Sequence, residues 1–305
     1  MISRRDYLKL CLATGATLGL KPGLSWAADP AGAMKKDADT PLALITRAIP
    51  SSGERLPAVG LGSSATFAEV ARSADIAALR EVLQALVEHG GRVLDTAPSY
   101  GASELVAGRI AAELAISDTL FWATKLNVAG WGGGSADPAA ARAQLETSFQ
   151  RIGKPVLDLI QVHNLGDVPV QLGLLKDLRA EKRVRYIGVT TTIPRQYAEL
   201  EQILAREPID FIGIDYAIDN RTMEERILPL AQERSVGVLV YAPFGRTRLW
   251  ERVRGQALPA GPQAGPDCPP QQADFEAGEG EDGPEPLDSE ESGGRGRLGH
   301  PRQRQ

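Results

Sequence analysis

Short apolar segments alternate with longer amphipathic segments along most of this sequence, from about residue 57 to residue 255. Continuous apolar runs of four to seven residues are typical of parallel strands that are buried on both faces. They predict seven strands, at residues 57–61, 92–95, 120–125, 157–163, 186–189, 211–215 and 236–241. The segments between them have apolar residues at helical spacing and predict six helices, at residues 74–88, 103–114, 137–152, 168–182, 195–205 and 223–233. Because strand and helix alternate, the sequence predicts a parallel sheet covered by helices.

Two architectures contain such a sheet, an open doubly wound sheet and an eight-stranded (β/α)8 barrel. The segment from Gly60 to Ala65 fits the G-x-G-x-x-G/A pattern of dinucleotide-binding sheets, which also requires an acidic residue about 20 positions later. The acidic residue that ends the second strand is Asp95, which follows Gly62 by 33 positions. About a dozen residues also separate the glycines from the next helical pattern. We therefore expect an α/β fold of the (β/α)8 TIM-barrel type with about seven βα units.

Polar side chains end three consecutive strands of this predicted barrel. Asp95 ends the second strand, and Tyr100 follows it in the next loop. Lys125 ends the third strand and His163 ends the fourth. In a barrel, the carboxyl ends of the strands and the loops after them form the functional site. We therefore expect these four side chains to lie in one site.

This set of side chains suits proton transfer to a carbonyl oxygen. A tyrosine, with a reference pKa of about 10, is a weak acid at neutral pH unless a nearby cation stabilises its phenolate. Lys125 would supply that cation, and Asp95 would keep the ammonium charged and oriented. His163 would exchange a hydrogen bond with the substrate oxygen. No side chain supplies a hydride, so a reduction at this site needs a redox cofactor.

At these positions the sequence resembles the aldo/keto reductase family of NADPH-dependent barrel enzymes. The resemblance rests on the D-x-x-x-x-Y-G spacing from Asp95 to Gly101 and on the T-K-L and V-H-N segments that end the third and fourth strands. It implies that Asp95, Tyr100, Lys125 and His163 are a catalytic tetrad. It also implies the reduction of a small aldehyde or ketone by hydride transfer, with Tyr100 as the general acid. The implied cofactor is NADPH, with NADH as the second candidate.

Further strand-end residues are candidates for binding. The candidates for cofactor contact are Gly62, Ser63, Asp95, Thr96, Thr190, Thr191, Tyr241, Ala242, Phe244 and Gly245. The candidates for substrate contact are Tyr100, His163 and Trp131, and no metal ligands are expected.

The sequence departs from the family pattern at two strand ends. After the fifth strand, where the family commonly has a Ser-Asn pair for the nicotinamide carboxamide, this chain has Thr190 and Thr191. Hydroxyl groups can still hydrogen-bond an amide. In the sixth strand, Gly213 stands where the family usually has Gln. Tyr241 retains an aromatic surface on which a nicotinamide could stack.

Residues 1–27 resemble a twin-arginine export signal. Arg4 and Arg5 precede a short apolar run, and the segment ends at Ala27 in a small-x-small pattern. The apolar run, residues 10–20, is too short to span a hydrocarbon core of about 30 Å, so stable membrane insertion is not expected. We expect export to the periplasm by the twin-arginine machinery, with an uncleaved N-terminal anchor as the alternative.

The chain therefore divides into a signal (1–27), a lead-in (28–56), the barrel-like region (57–255) and a tail (256–305). The tail contains eight Pro and nine Gly in 50 residues, and no Val or Ile, a composition that predicts disorder. It offers no pattern for the eighth βα unit of the family or for the segment that clasps the adenosine 2′-phosphate. One hypothesis is that the tail is an out-of-frame reading of a GC-rich gene.

Composition gives no support for a nucleic-acid partner, a zinc site or a disulfide framework. The formal net charge is −5, so there is no basic surplus that would favour a nucleic-acid partner. Three His and two Cys, Cys11 and Cys268, provide neither a zinc pattern nor a disulfide framework. We expect a monomer. Two alternatives to an active reductase remain open: a truncated, catalytically impaired reductase, and an exported ligand-binding protein without hydride chemistry.

Overall fold

The computed structural model describes residues 44–73, 75–130, 134–245 and 248–256. The predicted signal, the first part of the lead-in and the tail from residue 257 lie outside the described residues. The chain forms two compact units, residues 1–247 and residues 248–305. The first unit contains all the strands described below, and the second, residues 248–305, contains the short helix α8 (Arg248–Val253).

A β-hairpin precedes the sheet. Its strands, β1 (Thr46–Ala48) and β2 (Arg55–Pro57), pair antiparallel, with Thr46 opposite Pro57. The sequence prediction of a first barrel strand at residues 57–61 was therefore wrong in its bounds. Pro57 ends the hairpin, and the first strand of the parallel sheet is β3 (Leu61–Gly62).

Seven parallel strands form the sheet, and their order in space follows their order in the sequence. After β3 they are β4 (Val93–Asp95), β5 (Phe121–Leu126), β6 (Leu157–His163), β7 (Val184–Thr191), β8 (Phe211–Asp215) and β9 (Gly237–Tyr241). The predicted strands at 157–163 and 211–215 coincide with β6 and β8. This order confirms the expected α/β fold of the (β/α)8 type, of which the described residues contain seven strands.

Helices connect the strands as the alternation predicts. They are α1 (Thr66–Val70), α2 (Ala77–Glu88), α3 (Ser103–Glu113), α4 (Pro138–Ile152), α5 (Val168–Ala180), α6 (Tyr197–Arg206) and α7 (Ile227–Glu233). Short 3-10 turns, Pro194–Gln196 and Thr222–Glu224, precede α6 and α7. The bounds of α4 follow from sequence, since Asp137 accepts hydrogen bonds from the first free amides, Pro138 opens the helix and Gly153 ends it at φ 77°.

The sheet curls, as contacts between distant strands show. Neighbouring strands lie about 4.8 Å apart, so β4 and β9, which are five strands apart, would be separated by about 24 Å in a flat sheet. Instead, the Tyr241 hydroxyl at the end of β9 lies 3.0 Å from Asp95 Oδ1 at the end of β4. Likewise, the ring centroids of Phe121 on β5 and Phe211 on β8 are 6.3 Å apart.

Curling creates an inner core as well as an outer one. The outer core lies between the strands and the helices and contains buried side chains such as Leu94, Ile160 and Leu175. The inner core contains Phe121, Tyr186 and Phe211, packed with the hairpin residues Ile49 and Leu56. The hairpin thus covers the end of the sheet where the strands begin, and the carboxyl ends of the strands lie at the other end.

Candidate functional site

The carboxyl ends of β4, β5 and β6 bring the predicted catalytic residues together. Asp95 is the last residue of β4, Lys125 lies near the end of β5 and His163 is the last residue of β6. Because these strands are adjacent and parallel, their ends lie at one edge of the sheet. Tyr100 lies in the turn that leads into α3.

Lys125 and Asp95 form a buried ion pair. Lys125 Nζ lies 2.7 Å from Asp95 Oδ2, and the two side chains are 2% and 14% exposed. The ammonium also donates to the carbonyl oxygen of Thr96 at 2.8 Å. An unpaired ammonium in such a place would be costly, so the carboxylate and the carbonyl compensate for the water that Lys125 has lost.

Tyr100 lies close to both this ion pair and His163. Lys125 Nζ is 5.0 Å from the centre of the Tyr100 ring. The rings of Tyr100 and His163 are nearly perpendicular, at 84°, with centroids 6.0 Å apart. The Asn127 side chain donates to the carbonyl oxygen of His163 at 3.0 Å and so ties the end of β6 to the segment that follows β5.

The environment keeps His163 neutral. Burial, reinforced by the positive charge of Lys125, lowers the pKa of His163 to about 3. At neutral pH the imidazole therefore carries one N–H donor and one acceptor nitrogen and no net charge. His163 can accordingly hydrogen-bond a polar ligand without adding a second cation to the site.

Tyr241 belongs to the same polar cluster. Its hydroxyl lies 3.0 Å from Asp95 Oδ1 and 2.8 Å from Gln161 Oε1. Burial, and then the negative charge of Asp95, raises the pKa of Tyr241 well above its ordinary value. The sequence predicts only an aromatic surface at this position, and the structure adds a hydrogen bond to the carboxylate that holds Lys125.

Two predicted cofactor contacts are buried hydroxyl groups with no hydrogen-bond partner. Ser63 and Thr96 are fully buried, and neither hydroxyl oxygen has a partner in the described structure. Both adjoin the tetrad, because the Ser63 amide donates to the carbonyl oxygen of Asp95 at 2.8 Å and Thr96 follows Asp95. A Cβ at Gly62, which pairs in register with Asp95, would meet nothing within 4 Å. This corner of the site therefore offers unfilled space beside unused hydrogen-bonding groups.

The two threonines at the end of β7 have different surroundings. Thr190 Oγ1 lies close to Gly213 and hydrogen-bonds Tyr241. The Thr191 hydroxyl donates to Gln196 Oε1 and accepts from the amide of Ile193, so it stabilises the turn before α6. Only Thr190 of this pair therefore lies within the polar cluster.

The remaining predicted contacts follow β9 or lie outside the described residues. Ala242 and Gly245 close a tight turn, in which the Gly245 amide donates to the carbonyl oxygen of Ala242 at 2.7 Å. Phe244 in this turn is 69% exposed. Trp131, the predicted substrate contact, lies in the segment 131–133 and is outside the described residues.

Sequence reasoning missed Gln161. It is fully buried, its Oε1 lies 2.8 Å from the Tyr241 hydroxyl, and its amide donates to the carbonyl oxygen of Val189 at 3.3 Å. Strand alternation could have found it, because Gln161 lies two residues before His163 and so shares its face of β6.

The described residues contain neither a cluster of metal-binding side chains nor a membrane-spanning helix. The described ranges contain no group of three or more His, Cys, Asp or Glu side chains placed to hold a metal ion. In the same part of the chain, no helix is both long and apolar enough to cross a membrane.

Comparison with known proteins identifies relatives of this chain. A curated relative, "Probable aldo-keto reductase 1" of Glycine max, is 30% identical over 174 residues, which are 54% of this chain and 49% of the relative. The chain thus spans about half the length of the curated relative that it matches.

Solved structures of other proteins share the fold of this chain. An aldo-keto reductase from Klebsiella pneumoniae in complex with NADPH is 25% identical, with a TM-score of 0.56 over 70% of this chain and 74% of its own. The glycerol dehydrogenase of Gluconobacter oxydans is 26% identical, with a TM-score of 0.57 over 73% of this chain and 71% of its own.

A family model covers most of the barrel-like region and extends past residue 255, where the sequence pattern of strands and helices ends. It is the model of the aldo/keto reductase family, and it matches residues 58–280. The chain belongs to the aldo/keto reductase family.

Proposed function

We propose that this protein reduces an aldehyde or ketone to an alcohol with NADPH, using Tyr100 as the general acid. Membership of the family supports an NAD(P)H-dependent oxidoreductase in general. The observation that carries the specific proposal is the position of the buried Lys125–Asp95 pair, whose ammonium lies 5.0 Å from the centre of the Tyr100 ring.

Tyr100 and Lys125 together deliver the proton. As the carbonyl carbon gains a hydride, negative charge develops on its oxygen, and the Tyr100 hydroxyl donates its proton to that oxygen. The phenolate that remains is stabilised by the neighbouring ammonium of Lys125. Asp95 holds that ammonium in place through the 2.7 Å contact. Tyr100 is reprotonated from solvent before the next turnover.

His163 orients the substrate. Its neutral imidazole lies nearly perpendicular to the Tyr100 ring, with centroids 6.0 Å apart, so His163 lies beside the group that would protonate the carbonyl oxygen. A neutral donor polarises the carbonyl without competing with Lys125 for the phenolate.

The residues present fit a nicotinamide cofactor. The unpartnered hydroxyls of Ser63 and Thr96 and the open space at Gly62 lie beside Asp95, where a polar group could bind. NADPH supplies the hydride when it is bound, and NADH is the second candidate. The Klebsiella pneumoniae relative in complex with NADPH supports this assignment.

The decisive experiment measures binding and turnover separately. Purified protein is titrated with NADPH while nicotinamide fluorescence is recorded, and NADPH oxidation is then followed with 4-nitrobenzaldehyde, an electrophilic carbonyl. We expect saturable binding and turnover in the natural protein. We expect Tyr100→Phe to bind NADPH with similar affinity and to lose about 10²–10⁴-fold in kcat. Absence of NADPH binding would instead favour the impaired reductase, and substantial turnover by Tyr100→Phe would refute the proposed acid.

We also propose that the protein is exported to the periplasm by the twin-arginine machinery. The support is the Arg4-Arg5 pair before a short apolar run in the sequence. Replacing both residues by Lys keeps the charge but removes the guanidinium pair, and we expect the protein to remain in the cytoplasm. Cell fractionation with immunodetection measures this, and periplasmic accumulation of the double variant would contradict it.

A further inference from the structure

Both oxygens of the Asp95 carboxylate have donors, and the two donors come from different strands. Oδ2 accepts from Lys125 Nζ at 2.7 Å, and Oδ1 lies 3.0 Å from the Tyr241 hydroxyl. Lys125 Nζ is also 5.1 Å from the centre of the Tyr241 ring and 5.0 Å from that of Tyr100. The ammonium therefore lies close to two tyrosine rings, one of which also holds its carboxylate partner.

Gly213 makes this position of Tyr241 possible. A Cβ at residue 213 would lie 2.4 Å from Tyr241 Cε2 and 2.9 Å from Cζ, closer than real contacts allow. The same Cβ would lie 2.7 Å from Thr190 Oγ1. The ring of Tyr241 therefore packs directly on the backbone of β8, and any side chain at residue 213 would displace it.

We propose that Tyr241 is a positioning residue, which holds the Asp95 carboxylate against Lys125. We propose further that Gly213, because it has no side chain, leaves the space in which the Tyr241 ring reaches Asp95. The inference rests on the proposed reductase function and extends it by one residue pair. The hydroxyl has one proton and two acceptors within reach, Asp95 Oδ1 and Gln161 Oε1, and the carboxylate is the stronger acceptor because it is charged. Gln161 and Thr190, which also lie at the hydroxyl, carry no charge. The high pKa of Tyr241 keeps its hydroxyl protonated, so it remains a donor across the working pH range.

The role has a chemical consequence at Tyr100. A carboxylate that also accepts from Tyr241 neutralises Lys125 less completely, so more of the positive charge remains to stabilise the Tyr100 phenolate. Among the described residues, His163 at the end of β6 also lies beside Tyr100, and the Arg72 side chain passes the neighbouring residue Gly101. Removal of the Tyr241 hydroxyl leaves both of these unchanged.

The test compares Tyr241→Phe with the natural protein. The variant keeps the ring on Gly213 and removes only the donor. In protein without cofactor, tyrosinate absorbance is recorded against pH, with Tyr100→Phe identifying the contribution of Tyr100. We expect the Tyr100 signal to develop about half to one pH unit higher in Tyr241→Phe. In turnover, we expect kcat to fall roughly tenfold and the dissociation constant of NADPH to change less than about threefold.

Gly213→Ala tests whether Tyr241 needs the space at residue 213, and Gly173→Ala is its matched control. Gly173 lies in α5, where an added Cβ would meet nothing within 4 Å. We expect Gly213→Ala to shift the Tyr100 signal as Tyr241→Phe does, the double variant to shift it no further, and Gly173→Ala not to shift it. Circular dichroism verifies that each variant is folded. If Gly213→Ala does not fold, the titration of Tyr241→Phe alone tests the role of Tyr241.

Two results would overturn the inference. One is an unchanged Tyr100 titration in folded Tyr241→Phe. The other is a tenfold weaker NADPH affinity with an unchanged titration, which would make Tyr241 a cofactor-binding surface only. Failure of the proposed function is recognised separately, because the natural protein would then neither bind nor oxidise NADPH, while the titration can still be performed.

Discussion

A buried lysine is the residue around which this site is organised. Burial of an ammonium without compensation is costly, and here one carboxylate, one carbonyl and two aromatic rings compensate for the loss of water. These contacts come from β4 and from the turn before α3, in addition to the end of β9. Lys125 therefore requires the curled sheet, and the site exists only when distant strands meet.

The low pKa of His163 predicts a pH-dependent stability. The unfolded chain takes up a proton near pH 6.5, whereas the folded protein does so only at about pH 3. The contribution of the neutral His163 to stability is therefore fully present above about pH 6.5 and is lost as the pH falls towards 3, because protons bind preferentially to the unfolded chain. We expect this residue to remove about 1–2 kcal/mol of the free energy of unfolding between pH 6.5 and pH 5.

Urea unfolding at a series of pH values measures this effect. His163→Gln should lose this part of the pH dependence, and His89→Gln, at an exposed position in the chain, should keep it. An equal pH dependence in His163→Gln and the natural protein would show that the imidazole does not titrate as described.

The close approach of helices α3 and α4 depends on a glycine. Gly108 in α3 faces the last turn of α4, where an added Cβ would lie 2.3 Å from the carbonyl oxygen of Arg151 and 2.9 Å from Ile152 Cα. Both atoms belong to backbone, which cannot move aside as a flexible side chain could. The packing of α3 on α4 therefore depends on the absence of a side chain at this position.

Gly108→Ala should consequently destabilise the protein although alanine favours helices. We expect a loss of about 1–3 kcal/mol in the free energy of unfolding, the usual cost of overpacking. Gly173→Ala, in the open part of α5, should instead stabilise by up to about 1 kcal/mol, because it restricts the unfolded chain. Thermal and urea unfolding of both variants provide the comparison, and equal stabilities of the two would contradict the close approach.

The seven parallel strands form one continuous sheet with two ends. Within the described ranges, β3 pairs only with β4 and β9 only with β8, whereas β6 and β7 are each paired on both sides. The hairpin β1–β2 is attached to the sheet through Glu54, which accepts from Arg185 and lies 2.8 Å from the Tyr186 hydroxyl. The middle strands of the sheet are thus hydrogen-bonded on both sides, whereas β3 and β9 are hydrogen-bonded on one side within the described ranges.

Hydrogen exchange should reflect this difference. We expect amides of β9 to exchange at least about tenfold faster than those of β6, because strands paired on one side open at lower free energy. Exchange followed by mass spectrometry at two protein concentrations measures it. Equal protection of β9 and β6 at both concentrations would contradict the prediction, and protection that appears only at the higher concentration would indicate pairing with a second copy.

The order and type of the elements follow from local features of the sequence. Buried parallel strands and amphipathic helices differ in the spacing of their apolar residues and in their length. Both properties are local and can be recognised in a short segment of sequence. The strand β6 was predicted residue for residue, and Asp137 and Gly153 mark the ends of α4. The hairpin was missed because its strands have only three residues each, too few to establish an alternation.

The surroundings of Lys125 and Asp95 are completed by contacts between distant strands. Motif spacing predicted that Asp95, Tyr100, Lys125 and His163 share a site, since consecutive parallel strands end at the same edge. It could not predict that Tyr241, 146 residues after Asp95, donates to its second oxygen, or that Gly213 admits the ring. That contact depends on how far the sheet curls, and curling is the sum of small twists over many strands rather than a property of any one segment.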